Sequence, residues 1–135
     1  EISACLVGSE MCIRDRKEIK KLLNTRCFIS QGNVMNLPYE KGTFDLITAF
    51  ETVYFWGNLQ KTFNEVHRVL KNGGLFLICC EASDPSDETW TSRIDGMVVH
   101  SAQDLESCLA RCGFSNITTH RRNKENICVI AQKIQ

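Results

Sequence analysis

The sequence predicts an α/β fold: a mostly parallel sheet finished by an antiparallel C-terminal strand pair. Three observations predict it. Helical and strand periods alternate along the chain from Lys17 onward. Two runs, Phe44–Phe50 (FDLITAF) and Leu75–Cys80 (LFLICC), are nearly continuous in apolar residues, the pattern of strands buried on both faces of a parallel sheet. The last two strand-like segments, Ser115–His120 and Asn126–Gln132, are joined by the polar turn Arg121–Glu125, most simply as an antiparallel pair.

Bulk composition narrows the function classes. The chain has 135 residues, 43% hydrophobic and 24% charged, with 16 basic and 16 acidic side chains. That suits one modest domain with a real core, and argues against disorder. A dedicated nucleic-acid binder would show a basic excess, which is absent, so no nucleic-acid partner is expected. Leu75–Cys80 is the longest strongly apolar run, far short of a roughly 18–20-residue span, so no membrane partner is expected. The eight cysteines include no C-x-x-C, and no His stands at zinc-finger spacing from a Cys pair. They are read as reduced, structural thiols of a cytoplasmic protein, with no metal.

Taken in order, residues 1–16 show no clean helical or strand period. Ser3–Arg16 resembles translated adapter sequence, and the segment is expected to be non-native or disordered, the alternative being an ordinary frayed terminus. Lys17–Asn24 sets Ile19, Leu22 and Leu23 on one helical face. Cys27–Gln31 reads as a short strand ended by Gly32-Asn33, and Pro38 and Gly42 mark a loop. Phe44–Phe50 is the next strand. Asn58–Leu70 is a helix with Leu59, Phe63, Val66 and Leu70 in its stripe, stopping at Asn72-Gly73-Gly74. Leu75–Cys80 follows as a buried strand. Glu81–Gly96 is a polar loop with a short helix around Thr91–Ile94. Ser101–Asp104 is a capping box that opens a helix through Arg111, with Leu105, Cys108, Leu109 and Cys112 inward and Gly113 closing it.

Three segments together resemble the class I S-adenosylmethionine-dependent methyltransferases of the small-molecule type. They are Gln31–Pro38 (QGNVMNLP), Thr43–Phe50 (TFDLITAF) with Glu51–Trp56 behind it, and Glu65–Phe76 (EVHRVLKNGGLF). Each alone is weak; in order and at this spacing they are strong. Asn72 stands where the family often has Pro. The resemblance implies a partial Rossmann-like methyltransferase fold, S-adenosyl-L-methionine as cofactor and a small-molecule methyl acceptor. The family's glycine-rich G-x-G-x-G turn is absent, since no G-x-G occurs in the chain. On this reading residues 17–135 are the C-terminal portion of a methyltransferase domain lacking the first two βα units, with little or no cofactor affinity of its own. Phe44–Phe50 would then present an apolar sheet edge, either covered by a shifted Cys27–Gln31 strand or open to self-association.

The resemblance also implies site residues. Asn33 and Val34 would meet the adenine, though a Gly-Asn turn needs the same residues for itself. Phe50, Glu51 and Tyr54 follow a strand at its ligand-facing end and would flank the cofactor. Trp56 and Trp90 are candidates for the acceptor side, with packing over the sheet as the alternative for the aromatic cluster. Glu51 and His100 are the candidate catalytic bases, although residues of these types are more often solvated side chains. The alternative function is a non-catalytic α/β binding or interaction module.

Overall fold

The computed structural model describes residues 3–7, 25 and 27–135. The chain divides into two compact units, Glu1–Pro38 and Tyr39–Gln135. In the first, β1 (Ser3–Val7) pairs in parallel with β2 (Cys27–Gln31), in a register running from Ser3 opposite Cys27 to Val7 opposite Gln31. A strand at Ser3–Val7 is a difference from the sequence reading, which found no period there. Pairing with β2 supplies backbone hydrogen bonds that no local pattern announces. The helix expected at Lys17–Asn24 lies outside the described residues, as does most of the segment 1–16.

The second unit holds a four-stranded sheet in the order β3-β4-β6-β5, formed by β3 (Phe44–Phe50), β4 (Leu70–Cys80), β5 (Phe114–Arg121) and β6 (Ile127–Lys133). β3 and β4 are parallel; β6 runs antiparallel to both β4 and β5. The mixed α/β architecture and the antiparallel terminal pair are as the sequence predicts. Helices α1 (Leu59–Val69) and α2 (Ala102–Arg111) supply Phe63, Val66, Leu105 and Leu109 to one core with Phe76, Ile78, Val129 and Ala131 of the sheet. Phe76 anchors it, with ring centroids 5.6 Å from Phe63 and 5.9 Å from Phe114.

Burial on both faces is not what β3 and β4 show. Ala49, Phe76, Ile78 and Cys80 are buried, but Leu46 and Phe50 are 54% and 59% exposed and Leu75 is also exposed. β3 is an edge strand, and the helices of this unit pack on one face of the sheet only, so the other face stays open among the described residues.

α1 also ends earlier than its sequence pattern suggests. It stops at Val69 rather than at Asn72–Gly74, because tertiary partners satisfy the carbonyls of its last turn. Gly42 N–H donates to Arg68 O at 3.0 Å, Thr43 N–H to Val69 O at 2.7 Å, and Lys133 Nζ to His67 O and Leu70 O at 2.8 Å each. Gly73 and Gly74 then form a bend inside β4. Gly73 has φ +82°, and a Cβ on Gly74 would lie 2.8 Å from Lys71 O. The short helix expected around Thr91–Ile94 is instead a set of turns, with Ser92 N–H on Glu88 O and Ile94 N–H on Trp90 O. α2 begins after the predicted Ser101 cap and ends at Arg111, with Cys112 as its C-cap and Gly113 following at φ +89°. No helix among the described residues is long and apolar enough to cross a membrane.

Candidate functional site

In open α/β sheets, ligands bind outside the carboxyl ends of the strands. In the second unit the parallel strands β3 and β4 end there at Phe50 and Cys80. Glu51, just past β3, takes a left-handed φ of +54°, and its N–H donates to Cys79 O at 3.0 Å, extending the ladder by one bond. That conformation turns its carboxylate toward β4. Glu51 Oε1 accepts from Glu81 N–H at 2.8 Å and Oε2 accepts from the Tyr54 hydroxyl at 2.9 Å. The Tyr54 oxygen in turn accepts from Ala82 N–H at 3.1 Å. One carboxylate and one phenol thus tie the two strand ends together.

Tyr54 sits in a single 3-10 turn, Val53–Phe55, and is 4% exposed. Burial pushes its phenol well above the ordinary tyrosine range, opposed by the Ala82 N–H, so it is a proton donor to Glu51 throughout the working pH range. Its carbonyl accepts from Val98 N–H at 3.0 Å, which fastens the 81–100 loop to the same junction. Two residues on, His100 is half-buried. Burial lowers its imidazole below the ordinary value against a smaller opposing pull from Asp104, and its Nε2 is buried without a hydrogen-bond partner. Asp104 itself accepts from the Ser101 hydroxyl at 2.6 Å.

The aromatic candidates divide. Trp56 stacks on Phe76 at 6.4 Å with the planes 6° apart and meets Phe63 edge-on at 6.3 Å, so it is largely a core residue. Phe55 is 53% exposed, and Phe50 and Trp90 are exposed too. Phe50 thus offers an uncovered ring at the carboxyl end of β3. In the first unit, Asn33 and Val34 follow β2. Asn33 Oδ1 accepts from Met35 N–H at 2.9 Å and its carbonyl from Asn36 N–H at 2.9 Å, so the turn reading holds. An amide oxygen has two acceptor sites, so the exposed Asn33 side chain keeps capacity for a ligand donor.

The sequence reading missed the backbone N–H groups of Glu81 and Ala82. Their position directly after an apolar strand was the available signal. Among the described residues Cys27, Cys79, Cys80, Cys108, Cys112 and Cys128 are free thiols. Burial pushes Cys80 up to about 12 and Cys112 up to about 11, as expected of structural thiols.

Comparison with known proteins gives these features a context. A demethylmenaquinone methyltransferase of Symbiobacterium thermophilum is 44% identical over 54 residues, 40% of this chain and 21% of that protein. A sterol 4-C-methyltransferase of Caenorhabditis elegans is 36% identical over 73 residues, 54% of this chain and 22% of that protein. The matched stretches therefore span about a fifth of these relatives' length. Among solved structures, a SAM-dependent methyltransferase of Thermotoga maritima superposes with a TM-score of 0.74 at 17% identity, over 98% of this chain and 73% of the other. The [4+2]-cyclase SpnF does so with a TM-score of 0.78 at 16% identity, over 98% and 66%. These two establish the shared fold, a methyltransferase-like Rossmann arrangement present here in part. The cofactor that goes with the family is S-adenosyl-L-methionine. With residues 4–78, more than half of the chain, matching the methyltransferase domain profile, this chain belongs to the methyltransferase domain family.

Proposed function

We propose that this chain serves S-adenosylmethionine-dependent methyl transfer to a small-molecule acceptor. The observation that carries the reading is the Glu51–Tyr54 junction at the carboxyl ends of β3 and β4, where ligands of open α/β sheets bind, in a chain of this family. The cofactor, when bound, supplies a methyl group already activated on a sulfonium, so the protein has mainly to orient and desolvate the reactants. Asn33 offers an amide oxygen to the adenine amine beside the Val34 backbone. Phe50 offers an apolar ring, and the Glu51–Tyr54 pair holds the strand end that presents it. Trp90 and the edge of Trp56 face the acceptor.

Of the two candidate bases, Glu51 has both carboxylate oxygens engaged, which suits holding position. His100 is kept neutral near pH 7 by burial and has an unused ring nitrogen, which suits taking a proton from the acceptor. Lipophilic ring compounds such as demethylmenaquinone and sterols, the substrates in the relatives' names, are the first acceptors to assay. The open edge of β3 is a surface for self-association.

A second reading, a non-catalytic α/β binding or interaction module, is favoured by one observation: no G-x-G turn occurs in the 135 residues to cradle the methionine end of the cofactor. The fold also carries other chemistry, as the cyclase neighbour illustrates. Calorimetry with S-adenosylhomocysteine separates the two. The methyltransferase reading expects weak but saturable binding, reduced by Asn33→Ala and Phe50→Ala. Saturable binding that is unchanged in both variants favours the module.

A further inference from the structure

A cavity of about 390 Å³ opens in the second unit, lined by Lys41, Asn64, His67, Arg68, Asn72 and Lys133 among others. It lies where β3 begins, α1 ends and β6 ends. The seven residues of β3 put roughly 20 Å between it and Glu51. It is therefore a different place from the strand-end junction.

Four of these side chains can carry positive charge, and no Asp or Glu side chain lines the cavity; Gln135, the last residue of the sequence, lines it too. Arg68 has its own partner: Nε and Nη2 donate to Glu65 Oε2 and Oε1 at 2.9 and 2.7 Å. Lys133 is 2% exposed and donates to two carbonyls at the end of α1, using two of its three N–H groups. Capping α1 accounts for Lys133 but not for Lys41 beside it. Neither lysine belongs to an ion pair among the described residues. The crowding of like charge is felt. Burial, then Lys41, lowers the Lys133 ammonium, and burial, then Lys133 and Lys41, lowers the His67 imidazole. Lys41 is exposed and solvated, so Lys133 is the buried charge here, and a buried charge is costly unless a counter-charge sits beside it.

We propose that this cavity binds a phosphate group carried on a small molecule. The two lysine charges left unneutralised match a phosphate dianion better than a single carboxylate. The volume falls in the range of small-molecule sites and exceeds what a bare ion fills. Asn64 and Asn72 add neutral donors at the rim.

The test titrates the whole chain with ribose 5-phosphate and with inorganic phosphate, by calorimetry and by amide NMR, with ionic strength matched by sodium chloride. The expected result is saturable binding of both, tighter for the ester, with shifts centred on Lys41, His67 and Lys133. Lys41→Gln should weaken it at least about fivefold, the effect of removing one nearby charge. Lys61→Gln, at the exposed start of α1, should bind like the parent. Inorganic phosphate binding as tightly as the ester, a response that never saturates, or an unchanged affinity in Lys41→Gln would overturn the proposal.

Discussion

Tyr54 joins three segments through two atoms. Its hydroxyl links Glu51 to Ala82, and its carbonyl holds Val98. Removing only the hydroxyl leaves the buried Ala82 N–H and one Glu51 oxygen short of a partner. Tyr54→Phe is expected to cost about 1–3 kcal/mol, read as a lower urea midpoint at unchanged slope. A midpoint within error of the parent would show that water replaces the hydroxyl. His67 and His100 make a second residue-scale prediction. Burial lowers both folded pKa values below the ordinary ~6.5. As pH falls through that value the unfolded chain takes up protons that the folded chain refuses. The stability from neutral burial is therefore complete above about pH 7 and declines toward the lowered folded pKa values. The melting temperature should fall between pH 7.5 and 5.5, above the range where Asp104 titrates, and His100→Gln should flatten the slope. A profile already flat in the parent would refute it. Glu51 and Tyr54 were legible in sequence as residues after a strand. Their mutual bond was not, because it depends on a left-handed φ at a non-glycine residue.

At the scale of elements, local signals and tertiary partners compete. α2 follows its sequence closely. Ser101 Oγ accepts from Asp104 N–H at 3.1 Å and donates to the Asp104 carboxylate, and Leu105, Cys108, Leu109 and Cys112 are all buried. Ser101→Ala should cost about 1 kcal/mol, within the usual 0.5–2 for a lost cap, measured by thermal or urea unfolding. An effect under a few tenths would mean that water or Asp104 replaces the cap. α1 starts as read, with Asn58 Oδ1 accepting from Lys61 N–H at 2.9 Å. It ends early, because Gly42, Thr43 and Lys133 come from elsewhere in the chain to take its last carbonyls. Gly73 and Gly74 looked like a helix stop and act as a bend in a strand, since the same conformational freedom serves either purpose.

At the scale of the molecule, the four-stranded sheet keeps one face packed and leaves Leu46, Phe50 and Leu75 exposed. Among the described residues no strand pairs with the outer edge of β3, which lies beside that apolar surface. Self-association through it predicts a concentration-dependent dimer in light scattering at tens of micromolar, shifted to monomer by Leu46→Lys. A parent chain that stays monomeric at every concentration would remove it.

The sequence by itself determined the order and kind of most elements, the α2 cap and stripe, the antiparallel terminal pair and the family. All of these rest on patterns readable within a few residues, or on motifs at fixed spacing. The tertiary structure alone decided that Glu51 grips Glu81, 30 residues away, that Lys133 closes α1 from 66 residues away, and which sheet face goes uncovered among the described residues. Hydrophobic period and capping act along the chain, whereas a carboxylate or ammonium finds its partner through space. That partner exists only once the strands are in register.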